Sequence, residues 1–152
     1  MKKISSGATY FYKKIFPAIW FGFLTIFLLI SVFGFLSNGS VPIAFLVIPA
    51  IMAIFGYFLM RALVFDLMDE VYDEGSNLLV KNRNKEERIN LKNIKNISYS
   101  FMTNPNRVTL SLRVSSQFGN EITFSPPASW VPFKKNNDIL ELIDRVDKIR
   151  SG

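Results

Sequence analysis

The chain has 152 residues, is 49% apolar with 15 phenylalanines, carries a net charge of +6, and contains neither Cys nor His. Without Cys there is no disulfide framework, thiolate metal site or thiol nucleophile, and without His the commonest general base and metal ligand are missing. The charge is unevenly spread: residues 1–65 hold five bases and no acid, while 66–152 hold all twelve acids against thirteen bases. The basic balance therefore belongs to the N-terminal half and is not a nucleic-acid footprint.

In chain order, a basic flank (1–14) with Lys2, Lys3, Lys13 and Lys14 comes first. Between Lys14 and Arg61 lie 46 residues with no charged side chain. A helix needs roughly 20 apolar residues to cross a hydrocarbon core. The stretch, taken as 15–66, thus predicts a transmembrane hairpin with spans at about 15–36 and 42–64. "SNGSV" (37–41) supplies the turn, and Pro42 suits a first helical turn. The first apolar run is too long for a cleaved signal peptide, and no small-x-small site follows it. The Lys/Arg bias places both termini in the cytoplasm. Tyr10, Phe11, Tyr12 and Trp20 are expected at the inner headgroup level. Ala18 and Gly22, four apart, and Ala53 with Gly56 give each helix small residues for close packing. They serve either the hairpin itself or a partner helix or second copy. With no ionisable residue inside either span, a pump or transporter made from this chain alone is not expected.

From residue 67 the pattern changes to short alternating runs separated by turn residues: 70–74, 78–83, 88–91, 97–100, 107–114 and 121–124. In "RVTLSLRV" (107–114), Val108, Leu110, Leu112 and Val114 are expected on one face. "KNIKN" (92–96) breaks the alternation and reads as a bend with Ile94 facing the core. Ile139, Leu142, Ile143, Val146 and Ile149 recur at helical spacing, predicting a helix over 137–150 capped by Asn136 or Asn137. A small antiparallel sheet and one covering helix can bury a modest core.

Candidate sites are few. "DLMDEVYDE" (66–74) holds five carboxylates, but their spacing does not match a calcium loop, and a solvated acidic stem is the expected role. The bases of 81–113, among them Lys92, Lys95, Arg107 and Arg113, offer either a face toward anionic lipid, a dock for an acidic protein, or ordinary solvated strand faces. Trp130 and Phe133 lie in the Pro-rich "PPASWVPF" (126–133). They form either a partner anchor, an interfacial membrane contact, or a plug over the end of the sheet. No phosphate loop, nucleophile elbow or dinucleotide fingerprint occurs, so no catalytic residue, metal or cofactor is expected.

Leu78–Val80, the "I-x-L-x-x-I-x-x-I" of Ile89–Ile97, "NPNRVTL" (104–110) and "FGNEITFSP" (118–126) together resemble the bacterial pleckstrin-homology-like (PH-like) domains. With the hairpin and the "DEVYDEG" start (69–75), the chain also resembles a group of small bacterial two-helix membrane proteins. The resemblance implies an α+β membrane protein: a transmembrane helical hairpin, then a cytoplasmic PH-like antiparallel β half-barrel (67–152) with a C-terminal capping helix. Taken with the hairpin and the absence of catalytic motifs, a binding role at the bacterial inner membrane is expected, with membrane lipid, a membrane or cytoplasmic protein, or a second copy as partner; the alternative is an immunity-type or regulatory subunit that recognises another membrane protein through the hairpin. Inositol-phosphate binding is not implied, because "KNRNKEER" (81–88) mixes both signs.

Overall fold

The computed structural model describes residues 1–39, 41–129, 131 and 133–152. The chain divides into two compact units, one formed by Phe11–Phe65 and one by Met1–Tyr10 together with Asp66–Gly152.

The first is the predicted hairpin. A π-helical turn (Phe11–Ile15) runs into helix α1 (Phe16–Asn38), with Pro17 in the first turn, where a missing N–H is tolerated. Gly39 ends α1 in the left-handed conformation (φ 62°) and its N–H returns to the Phe35 carbonyl at 2.9 Å. Helix α2 spans Ala44–Leu63. Both helices are long and apolar enough to cross a membrane. In α1 the buried or half-buried positions include Pro17, Trp20, Leu24, Phe27, Ser31 and Gly34, and in α2 Leu46, Pro49, Ala53, Gly56, Met60 and Leu63. Both series step by three and four, the spacing of a packed two-helix seam. Trp20 lies against Gly56, where an added Cβ would come 2.6 Å from the indole nitrogen. Most of the remaining surface is exposed Phe, Ile and Leu.

The second unit has two antiparallel sheets and a helix. Strands β1 (Lys2–Lys3), β2 (Glu70–Asp73), β3 (Asn77–Asn82) and β4 (Lys85–Asn90) form one sheet in that order. Strands β5 (Ile94–Ser100), β6 (Arg107–Ser116) and β7 (Gly119–Phe124) form the other. Helix α3 (Asn137–Ser151) starts at Asn136, whose side chain accepts from the Asp138 N–H. Its Ile139, Leu142 and Val146 join Val71, Leu78, Val80, Val108, Leu110, Ile122 and Phe124 in one core.

Residues 92–96 form the expected corner. Leu91–Asn93 is a 3-10 turn capped by the Asn90 side chain, and Ile94 is buried. Two features differ from the sequence reading. Val114 is 69% exposed, because the β6–β7 register shifts between Ser111 and Ser116 and turns the strand's last residues outward. The Asn93 side chain meets Val114 there instead, accepting from its N–H (2.8 Å) and donating to its carbonyl (3.1 Å).

The second difference is the N-terminus, whose basic residues were not expected in a strand but are built into the sheet. Lys2 and Lys3 pair with Asp73 and Tyr72, Ile4 is 1% exposed in the core, and the Ser5 hydroxyl accepts from the Val71 N–H. The β unit thus begins before the hairpin and is completed after it.

Candidate functional site

The acidic stretch after the hairpin is not a solvated stem. Each of its carboxylates meets a different part of the β unit. Asp66 takes a two-pronged bond from Arg107 of β6 (3.0 and 2.5 Å). Asp69 accepts from the Arg83 backbone N–H in the β3–β4 turn (2.6 Å), Glu70 from Lys3 of β1 (2.7 Å) and Glu74 from Arg88 of β4 (3.0 Å). Asp73 is bound by Arg145 of α3, which also donates to the Gly75 carbonyl at 2.9 Å. The stretch straps both sheets and the helix together. Exposed pairs of this kind contribute about 0.2–1 kcal/mol each. The less exposed Arg107–Asp66 and Arg145–Asp73 pairs have the forked geometry that Arg favours.

The strap also biases protonation. The Lys3 bond holds the Glu70 carboxyl below its ordinary range, with help from the Tyr72 hydroxyl. Hydrogen bonding to Asp73 holds the Arg145 guanidinium further above its ordinary value. Lys2, bonded to Asp138 at 2.6 Å, is likewise raised. Among the described residues no cluster of three acidic side chains is placed to hold a metal ion.

The basic residues do not converge on one face. Lys92, in the 3-10 turn, and Lys95, at the β5 bulge, are exposed with Arg113 at one end of the second sheet. Arg107 begins β6 at the other end, and Arg113 lies six residue steps further along the strand, about 20 Å away. Arg107 is committed to Asp66, its side chain only 16% exposed. Phe133 belongs with the Arg107 end, because nearby Asn136 donates its N–H to the Tyr99 hydroxyl, opposite Val108. Trp130 lies outside the described residues.

In the hairpin, Ala53 and Gly56 lie on the seam. Ala18 and Gly22 do not: both are exposed, and an added Cβ on Gly22 meets nothing within 4 Å. Trp20 turns into the seam, stacked on Phe16, with its indole N–H buried and without a hydrogen-bond partner.

Of one group of residues at the Arg107 end, only Phe133 was singled out from sequence. The β5–β6 loop (101–106) leaves Met102 77% exposed next to Phe101, while Pro105 is buried. The 125–136 segment starts from buried Ser125 and Pro126 and exposes Val131, Phe133, Lys134 and Lys135. The Lys135 ammonium lies 5.2 Å from the centre of the Phe101 ring. Phe133 is 79% exposed and takes a left-handed backbone (φ 61°) that is uncommon for a bulky residue. Such a conformation costs on the order of 1–3 kcal/mol, and the exposed ring recovers little of it by packing.

Compared with protein-family models, curated proteins and solved structures, the chain matches none.

Proposed function

We propose that this is a non-enzymatic binding or scaffold protein of the bacterial inner membrane, anchored by its hairpin, whose cytoplasmic PH-like β unit engages a protein or anionic lipid at the inner face. One observation carries the reading. The β unit takes its first strand from before the hairpin and the rest from after it. A folded unit assembled from both flanks requires them on one side of a membrane, so a crossing hairpin must cross twice. Lys13, Lys14 and Arg61 flank the apolar helices on that side, which supports a cytoplasmic location. Two antiparallel sheets with a C-terminal helix packed on them support the PH-like assignment.

The test is native mass spectrometry of the full chain taken from its own membrane in mild detergent. Retention of a stoichiometric protein or of anionic lipid is the expected result. A chain that carries neither contradicts the proposal.

A second reading draws on Gly22. Its open, exposed position beside Ala18 suits a hairpin that recognises another membrane protein, as an immunity-type or regulatory subunit would. On that reading Gly22→Leu releases the co-purified protein, whereas charge changes on the β unit leave it bound.

A further inference from the structure

We propose that Phe101, Met102, Val131, Phe133, Lys134 and Lys135 form a seat by which the β unit rests in the anionic headgroup layer of the bilayer. The proposal builds on the reading above, that the hairpin spans the membrane, and adds which part of the β unit meets the lipid. It moves the contact away from the basic strand residues Lys92, Lys95 and Arg113, which are at the other end of the second sheet.

Three observations converge. The first is position within the β unit. Asp66 follows directly on the second apolar helix's unit and is bonded to Arg107, where the 101–106 loop ends. On the N-terminal flank, the Ser6 N–H donates to the Ser125 carbonyl (2.6 Å), where the 125–136 segment begins. Both loops therefore arise beside residues of this unit that lead toward and return from the hairpin in the chain, Ser6 and Asp66. The second is chemistry. Residues 101–107 and 125–137 contain Arg107, Lys134 and Lys135 and no acid. Large apolar side chains next to lysines suit a headgroup layer, where the rings and thioether reach the acyl boundary and the ammonium groups meet lipid phosphates. The third is presentation. Pro105 and Pro126 are buried at the loop bases, whereas Met102 and Phe133 are 77% and 79% exposed. The left-handed backbone at Phe133 (φ 61°) holds an apolar ring outward.

The experiment uses the full chain, which has no native cysteine. Single cysteines replace Met102, Phe133, Val114 and Ile30, each carrying a nitroxide, in vesicles of phosphatidylcholine mixed with phosphatidylglycerol. Val114 is the control, because it is apolar and 69% exposed but at the far end of β6. Ile30, 68% exposed on α1, reports on the hairpin. The expected result is that oxygen dissolved in lipid relaxes the labels at 102, 133 and 30, while a water-soluble nickel chelate relaxes only the label at 114. Lys134→Glu with Lys135→Glu is expected to weaken lipid contact at 102 and 133 by about fivefold per lysine, the factor equivalent to about 1 kcal/mol for a base at an anionic surface. Water exposure at 102 and 133 with lipid contact at 30 overturns the seat and leaves the spanning hairpin standing. Labels at 102 and 133 shielded from both reagents overturn it in favour of a protein cover. Loss of lipid contact at 30 overturns the spanning reading, and the seat with it.

Discussion

Arg107 holds Asp66 with both terminal guanidinium nitrogens, at 3.0 and 2.5 Å. Asp66 is the first residue of the β unit after the apolar hairpin, and Arg107 is the first residue of β6. The pair therefore fixes where the returning chain meets the second sheet, and Leu67 then bridges to Thr123 of β7 beside it.

A forked bond is not replaced by a point charge. Arg107→Lys is expected to destabilise the β unit by about 1 kcal/mol, close to the effect of Arg107→Ala, because the pair is partly exposed. Thermal unfolding of the full chain in detergent, followed by circular dichroism, measures it. Wild-type stability in Arg107→Lys would show that the fork contributes nothing.

Ile4 lies before the hairpin yet is 1% exposed in the core of the unit completed after it. Ile4→Ala should cost about 2–5 kcal/mol, in the range for truncating a core aliphatic residue. Faster hydrogen exchange across β2, with little change in the hairpin helices, is the expected signature. Unchanged exchange at Val71 would mean that β1 does not support the sheet.

Much of the β unit was readable because its strands alternate and α3 has a helical stripe. The bend at 92–96 announced itself as a break in the period, and Ile94 fills it. Strand β1 was not readable: two lysines carry no period, and their partners lie some 70 residues away. The acidic strap was missed for the same reason, since Asp66 and Asp73 find Arg107 and Arg145 only through the fold. Val114 continued the apolar alternation, but the register shift in β6 turned it out. In α1 the small residues Ala18 and Gly22 drew attention, whereas the packed seam runs through Trp20 and Leu24.

The Glu70 carboxyl is held below its ordinary value of 4.5, chiefly by the Lys3 hydrogen bond. A group whose folded pKa is depressed lends stability above its unfolded pKa and loses it as pH falls through the folded value. The β1–β2 pairing is therefore expected to loosen below about pH 4.5, and Glu70→Gln should remove that part of the acid response. Unfolding titrations of both proteins between neutral and acidic pH test this, and identical acid profiles would contradict it.

The two hairpin glycines are expected to behave differently. A Cβ on Gly56 would come 2.6 Å from the Trp20 indole nitrogen, while one on Gly22 meets nothing within 4 Å. Gly56→Ala should loosen the helix pair by about 1–3 kcal/mol, the usual cost of overpacking, and Gly22→Ala should leave it unchanged. Trp20 fluorescence and resistance to denaturing detergent report the pairing. Equal sensitivity at the two positions would place the seam elsewhere.

In the proposed arrangement, one folded unit gathers both flanks of a membrane-crossing hairpin on the cytoplasmic side. Single cysteines at Gly7, Ser37 and Asn120, all exposed, test it by reaction with a membrane-impermeant maleimide on intact spheroplasts. The cysteine at 37 is expected to react from outside, while those at 7 and 120 react only after the membrane is permeabilised. Labelling of positions 7 and 120 from opposite sides, or of all three from one side, would contradict it.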